Sequence, residues 1–290
     1  MTSPEVSVII VNYRTNALLL ECLSSLYTTP TDLAFEVIVV DNASGDGTGS
    51  LVPRRFPELR LVVNGKNVGF ARATNQGMAL ARGELLFWLN PDTIVLNGAL
   101  AELAAFLRSH PDAGAVGPKL IGPDGSLQYS CRAFPSFSTV LFTRQSILRR
   151  LWPSNPLSRR YLLSDWDHAK VRAVDWLSGA ALMTTRAVVN QVGPLDERFF
   201  LFNEDVDWCR RVKAAGYLVY YNPNAVVMHH IGVSDACLPA RLIIERHKGM
   251  FHYYRKHMRL TPWLDLPILT ALAFRTGVQL LTRSRWRMTR

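Results

Sequence analysis

Five short polar clusters in this chain stand at the ends of apolar runs, where side chains are held firmly enough to do chemistry. Asp41 closes the run FEVIVV and is followed by Asn-Ala-Ser-Gly-Asp-Gly-Thr. A carboxylate there can accept hydrogen bonds from the N–H groups of a base or from ribose hydroxyls. The same residue could equally form an Asx turn or a helix N-cap. Asn90-Pro91-Asp92 follows LLFWL. One fixed carboxylate suits a hard divalent cation that shares its remaining shell with waters and substrate phosphates, although Asn-Pro-Asp is also good turn chemistry. Asn203-Glu204-Asp205-Val206-Asp207 places three carboxylates in four residues between FFLF and WCRR. Like charges so close raise at least one pKa, which serves a general base. Acids at a helix N-terminus are also favoured by the macrodipole, and on a helix Asp205 and Asp207 would not share a face. His229-His230 ends AVVMHH, as a metal ligand, a polar clamp or a packed imidazole. Asn67–Gly77 (NVGFARATNQG) combines small residues with Arg72 and two asparagines, as where backbone approaches a phosphate. The chain has no GxxxxGK[ST] and no GxGxxG after its first strand, which disfavours a P-loop ATPase and a dinucleotide-binding dehydrogenase.

The elements that must carry these residues alternate. Val6–Val11, Phe35–Val40, Leu59–Val63 and Leu85–Leu89 read as strands, the first buried on both faces and the second also buried. Thr15–Tyr27, a short segment after Ala43–Gly49, Gly69–Ala81 and Gly98–Ser109 read as helices. The βαβαβαβ order predicts an α/β fold with a mainly parallel sheet flanked by helices. Ligands of such sheets bind beyond the carboxyl ends of the strands, where Asn12-Tyr13, Asp41-Asn42 and Asn90-Pro91-Asp92 fall. Residues 134–170 break the pattern. They hold FSTVLFTRQSILRRLW, an amphipathic helical stretch, and read as an insertion that forms a lid or a membrane contact. Regular pattern resumes at Ala173–Thr184, and a final strand is expected at Tyr217–Tyr221.

The chain has 290 residues, 48% of them hydrophobic, enough for a sizeable core. Its net charge of +10 is unevenly placed: residues 241–290 hold eleven Lys/Arg and two acids. Trp263–Leu281 is nearly long enough to span a bilayer, but Asp265, Pro267 and Arg275 interrupt it. An interfacial helix whose basic flank meets anionic lipid fits better. No nucleic-acid-reading motif accompanies the basic stretch, so nucleic acid is not expected as a partner. The N-terminus has no basic region and its apolar run is too short for a signal peptide, so the chain is expected in the cytoplasm. The four cysteines are scattered without a CxxC and read as ordinary thiols.

Taken in order, SVIIVNYR, VIVVDNASGDGT, NVGFARATNQG, LLFWLNPDTIV, WLSGAALMTTR, VGPLDERFFLFNEDVDWCRR and HHIGVS resemble a family 2 glycosyltransferase of the bacterial rhamnosyltransferase-like branch, over roughly Val6 to Ser234. The resemblance implies a GT-A catalytic domain over 1–235 and a basic amphipathic helical region over 236–290. It implies inverting transfer of a sugar, L-rhamnose from dTDP-rhamnose, from a nucleotide sugar to a hydroxyl of a glycan acceptor. The acceptor would be linked to polyprenyl diphosphate, in cell-envelope polysaccharide synthesis on the inner face of the membrane. Galactofuranosyl or other hexosyl transfer from a UDP sugar is the alternative within the family. A non-catalytic nucleotide-sugar- or glycan-binding protein on the same scaffold is the alternative outside it. By the same resemblance Asn12, Tyr13 and Asp41 would hold the nucleoside, and Asn67, Arg72, Asn75 and Asn90 would line the donor site. Asp92 would hold Mg2+ or Mn2+ at the diphosphate, with His229 a further metal or diphosphate contact. Gly179 and Ala180 would lie against the donor sugar, and Asp205 would be the base with Glu204 beside it. The common Asp-x-Asp metal motif reads Asn90-Pro91-Asp92 here, so a single carboxylate is left to hold the ion.

Overall fold

Four parallel strands lead the chain, joined by helices as the apolar periodicity requires. They are β1 (Val6–Asn12), β2 (Phe35–Asp41), β3 (Arg60–Val63) and β4 (Leu85–Leu89), connected through α1 (Asn16–Thr28), α2 (Thr48–Arg55) and α3 (Phe70–Leu80). They pair in the order β3-β2-β1-β4. This is a computed structural model, which describes residues 3–136, 152, 155–230, 239–258, 263 and 265–287, with side chains to 281. β1 and β4 are buried along their whole length, which explains their continuous apolar sequences.

Beyond β4 the sheet changes direction. A short β5 (Thr93–Val95) and helix α4 (Ala99–Ser109) lead into β6 (Ala113–Ile121), which turns back as a hairpin into β7 (Leu127–Gln128). β8 (Cys131–Arg132) pairs with β10 (Trp176–Leu177) in a separate ribbon. Between them lie α5 (Pro156–Leu162) and β9 (Arg172–Val174). β11 (Ala181–Thr185) enters antiparallel between β4 and β6. After α6 (Arg186–Val192) and α7 (Glu204–Ala214), β12 (Leu218–His229) runs parallel to β6 and antiparallel to β5. The main path is therefore β3-β2-β1-β4-β11-β6-β12-β5. The expected α/β architecture, with a mostly parallel sheet under helices, is what the chain adopts.

Side-chain alternation sends each strand into two cores. Val8 and Ile10 face α1 and α4 with Leu19, Leu23, Leu103 and Leu107. Ile9, Ile38 and Trp88 face the other layer with Met78, Trp208, Tyr253 and Tyr254. The last two belong to α8 (Ala240–His257), so the first helix of the basic extension is packed into this second core. α9 (Asp265–Arg287) lies along α8, tied by Arg255–Asp265 at 2.7 Å and by Arg246 donating to Gln279 at 3.0 Å. It leaves Trp263, Leu266 and Phe274 70–81% exposed. Among the described residues no helix is long and apolar enough to cross a membrane.

The sequence reading has no strand at the short β5, β7 and β8, and two longer strands depart from it as well. β6 was not anticipated, because AGAVGPKLI carries two glycines and a proline. Its glycines answer to crowding: a Cβ on Gly114 would lie 2.4 Å from Val212, and one on Gly117 3.0 Å from Leu177. The last strand runs on to His229 instead of ending at Tyr221. Asn222-Pro223-Asn224, which reads as a turn, is absorbed as an irregularity in register. There Asn222 donates to Glu102 at 2.9 Å. The amphipathic stretch expected in the 134–170 insertion lies mainly in 137–151, outside the described residues. Cys22, Cys131 and Cys209 are buried free thiols, and Cys237 is outside the described residues.

Candidate active site

The carboxyl ends of β1 and β2 meet in one polar knot. Asn12 donates to Asp41 at 3.0 Å, to Ser44 at 3.0 Å and to Thr48 at 3.1 Å, and accepts from Thr15 at 2.7 Å. Asp41, only 3% exposed, also accepts from the Ser44 hydroxyl and from the Ser44 N–H at 3.3 Å. Asn12 is fully buried, so its side chain braces the loop. Tyr13 is the group that reaches the surface here, 42% exposed, with the Arg14 guanidinium 5.3 Å from its ring centre. Asn42 extends the knot sideways. It donates to Asn67 at 3.0 Å and to the Gly69 carbonyl at 3.2 Å, and accepts from the Val68 N–H at 3.0 Å.

That second loop is clamped to the segment that precedes the acidic cluster. Phe70 N–H donates to the Phe200 carbonyl at 2.7 Å. Gly69 has φ +92°, and a Cβ on it would meet the Phe200 carbonyl oxygen at 2.6 Å. Only glycine gives both the left-handed backbone and the close approach. Asn75 grips Leu195 from both sides, donating to its carbonyl at 2.9 Å and accepting from its N–H at 3.0 Å. Arg72 is exposed and lies 3.7 Å from Glu197. Asn67 and Asn75 therefore have internal partners, while Arg72 is turned to the surface.

The Asn90-Pro91-Asp92 turn is fixed by its backbone. Asn90 N–H donates to the Ala180 carbonyl at 2.8 Å, and its own carbonyl accepts from Thr93 at 2.7 Å. Pairing of β5 with β12 sets Thr93 opposite His229. This brings His229 Nε2 to 3.3 Å from Asp92 Oδ1, and the Asp92 carbonyl accepts from the His230 N–H at 2.8 Å. Asp92 Oδ1 is buried and makes no hydrogen bond. A buried carboxylate oxygen without a donor, beside an imidazole nitrogen, fits a divalent cation whose other positions go to water and diphosphate. Among the described residues no group of three or more His, Cys, Asp or Glu is placed to hold a metal ion, and Asp92 and His229 stand together as a pair.

Gly179–Ala180 lies between that turn and the acidic cluster. Ala180 holds Asn90, and the Gly179 N–H donates to Asp205 Oδ2 at 3.0 Å. Asp205 Oδ1 accepts from the Val206 N–H at 2.8 Å. A Cβ on Gly179 would lie 3.6 Å from the Asp205 Cβ and 3.7 Å from Phe70. The approach to α7 passes through Phe202 and Asn203, both left-handed with φ +68° and +71°. Consecutive non-glycine residues in that region store strain, as functional turns do. Gly249 of α8 supports the turn: a Cβ there would sit 3.0 Å from both Asn203 Nδ2 and the Phe202 carbonyl.

The three carboxylates of the cluster part ways. Burial pushes Glu204 well up, with Asp205 and Asp207 adding repulsion, and its Oε2 has no hydrogen-bond partner. Burial also raises Asp205, against the pull of its two N–H donors and of Arg132. Asp207 lies on another face of the helix, as the spacing required. Burial would raise it too, but His257 at 2.6 Å, Lys256 at 2.7 Å and Arg211 at 3.0 Å hold it below the usual range. Asp207 thus anchors α8 and belongs to the fold. Arg132 escaped notice in the sequence. It lies on β8, where its charge opposes the rise of Asp205, with its guanidinium 5.2 Å from the Trp176 ring centre.

A mostly parallel sheet under helices, which sets Asp92 beside His229 at one strand end and Glu204–Asp205 across a glycine turn, is a GT-A fold. Residues 7–166 match Glycosyl transferase family 2. The chain is 32% identical, over 98% of its length and 94% of the relative's, to N-acetylglucosaminyl-diphospho-decaprenol L-rhamnosyltransferase of Mycobacterium tuberculosis. It is 25% identical, over 85% of its length and 76% of the relative's, to dTDP-rhamnosyl transferase RfbF of Shigella flexneri. Among solved structures it is similar to the mannosyltransferase PcManGT of Pyrobaculum calidifontis in complex with GDP-Man and Mn2+. The TM-score is 0.59 at 23% identity, covering 98% of this chain and 74% of that one. This chain belongs to glycosyl transferase family 2, and it is a glycosyltransferase.

Proposed function

We propose that this glycosyltransferase moves L-rhamnose from dTDP-L-rhamnose, with inversion, to a hydroxyl of a polyprenyl-diphosphate-linked glycan in cell-envelope polysaccharide synthesis. One observation carries the chemistry: Gly179–Ala180 is bonded on one side to Asn90 of the Asp92 turn and on the other to Asp205. A sugar lying on that glycine has the diphosphate side and the base side on opposite flanks, as in-line displacement requires. Asp205 is the base. Its two N–H donors fix the carboxylate and leave it to accept the proton of the attacking hydroxyl. Burial and the neighbouring carboxylates hold Glu204 well above the usual carboxylate range, so it resists ionising beside Asp205. A divalent cation, Mg2+ or Mn2+, at Asp92 and His229 supplies neutralisation of the leaving diphosphate when bound. We assign Tyr13, with the Asn12–Asp41 knot behind it, to the nucleoside and the exposed Arg72 to the donor. The rhamnosyl donor and the lipid-linked acceptor are supported by the two relatives named above. Transfer is measured with a panel of nucleotide sugars and a short-chain polyprenyl-diphosphate glycan, with and without Mn2+. Product from dTDP-rhamnose alone bears the reading out, and product from a UDP sugar alone overturns the donor.

The acceptor's lipid explains the far end of the chain. Trp263, Leu266 and Phe274 project from a region rich in arginine. An apolar edge with a basic flank suits the surface of an anionic membrane, where it would bring the domain to its acceptor.

A further inference from the structure

Among the described residues the imidazole of His229 has two polar side-chain partners, and only one of them, Asp92, belongs to the proposed cation site. On the other side stands Gln128 of β7. Its amide NH2 donates to the main-chain carbonyl of His229 at 2.8 Å, and its amide oxygen lies 3.0 Å from His229 Nδ1. A carbonyl only accepts, so the amide must turn its nitrogen to the His229 carbonyl and its oxygen to the ring. An amide oxygen also only accepts, so Nδ1 must carry a proton. In the neutral ring Nε2 then carries a lone pair, and it is Nε2 that lies 3.3 Å from the undonated Asp92 Oδ1.

We propose that Gln128 is a positioning residue which, by gripping His229 at its carbonyl and at Nδ1 together, fixes the ring in the Nδ1–H tautomer with Nε2 presented beside Asp92 as a cation ligand. The inference rests on the reading of Asp92 and His229 as the metal pair. It adds what keeps the pair ready: two acceptors brought face to face with no hydrogen between them favour a cation there. The fold builds the grip from three strands. β12 delivers His229, β5 holds it beside Asp92, and the β6–β7 hairpin reaches Gln128 underneath. The hairpin is stiff where it turns. Gly125 has φ +77°, the Gly122 N–H donates to the Ser126 carbonyl at 2.8 Å, and Asp124 accepts from the Ser126 hydroxyl at 2.6 Å. Outer partners of this kind set the tautomer and orientation of metal-binding histidines, and removing one weakens binding roughly 10–100-fold.

The test uses the full chain without added metal. Long-range 1H–15N spectra read the His229 tautomer, with H229Q giving the assignment, and EPR reads the affinity for Mn2+ alone. Wild type is expected as the Nδ1–H form. Gln128→Leu should mix the tautomers and weaken Mn2+ about tenfold or more with the thermal transition retained. Gln128→Glu, which keeps an acceptor for Nδ1–H, should hold the tautomer and stay closer to wild type. An Nε2–H ring in wild type overturns the proposal. So does a Gln128→Leu protein with unchanged tautomer and affinity while Asp92→Asn and His229→Ala lose Mn2+, and in that case the metal pair stands without Gln128. Unchanged Mn2+ affinity in Asp92→Asn and His229→Ala overturns the metal reading itself, and the proposal with it.

Discussion

At the residue scale the acidic cluster divides its labour by environment. Glu204 is buried and Asp205 half-buried, and Asp205 is held by the Gly179 N–H of a neighbouring turn and by the Val206 N–H of its own helix. Replacing Asp205 by Asn keeps the shape and removes the proton acceptor. Transfer should fall by about 10²–10⁴-fold while the donor still stabilises the folded protein in a thermal-shift assay. Near-normal turnover in the folded variant would remove Asp205 from its role. Glu204 yields a prediction about stability. Its folded pKa lies above the unfolded one, so its contribution is fully present below the ordinary carboxylate range and is lost as pH rises through the raised value. Glu204→Gln cannot ionise, so denaturant midpoints of the variant should decline less than wild type over that rise. An identical decline in both would show that Glu204 does not titrate there. Most of these residues were legible because each ends an apolar run. Gln128 was not: it lies 101 residues from His229 and nothing beside it in the sequence suggests a partner.

At the scale of elements, strands buried on both faces announced themselves, and crowded ones did not. FEVIVV and LLFWL are continuous runs. β6 hides in AGAVGPKLI because its glycines yield space to Val212 and Leu177. The site is clamped by such close approaches. Gly69→Ala would drive a Cβ into the Phe200 carbonyl at a left-handed φ, a strain of about 1–3 kcal/mol. Differential scanning calorimetry should show a lower Tm, and an unchanged Tm would mean the loop is free to move away. α8 makes a second clamp through Asp207. That carboxyl is held below its unfolded value, so its contribution is present above the ordinary carboxylate range and is lost as pH falls through the folded pKa. Asp207→Asn strands Lys256, His257 and Arg211 around a neutral group, and should destabilise by about 3–5 kcal/mol in urea at neutral pH. The gap between variant and wild type should close in acid, and a gap constant with pH would refute the assignment.

For the whole molecule, the uneven charge seen in the sequence resolves into two helices with different attachments. α8 contributes Tyr253 and Tyr254 to a core, and α9 leaves aromatic and aliphatic side chains outside. A double variant, Leu266→Glu with Phe274→Glu, should abolish co-sedimentation with anionic vesicles and leave the thermal transition in place. Wild-type binding should also weaken as salt rises. Retention of binding by the double variant would move the lipid contact elsewhere. The architecture was readable up to β4, since local runs alone define it. The second half was harder to read, because each strand there is defined by a neighbour distant in sequence.

The pairing of β5 with the end of β12 has a consequence for how the protein comes into being. β1 to β4 can assemble from neighbours made soon after one another, but β6 and β5 wait for partners made much later. Contacts this remote in sequence form slowly. During synthesis the β1–β4 part of the sheet is therefore able to form well before Asp92 meets His229. A chain halted short of Leu218 would leave β5, β6 and β9 without the strand they pair with, and bare edges are where chains stick to one another.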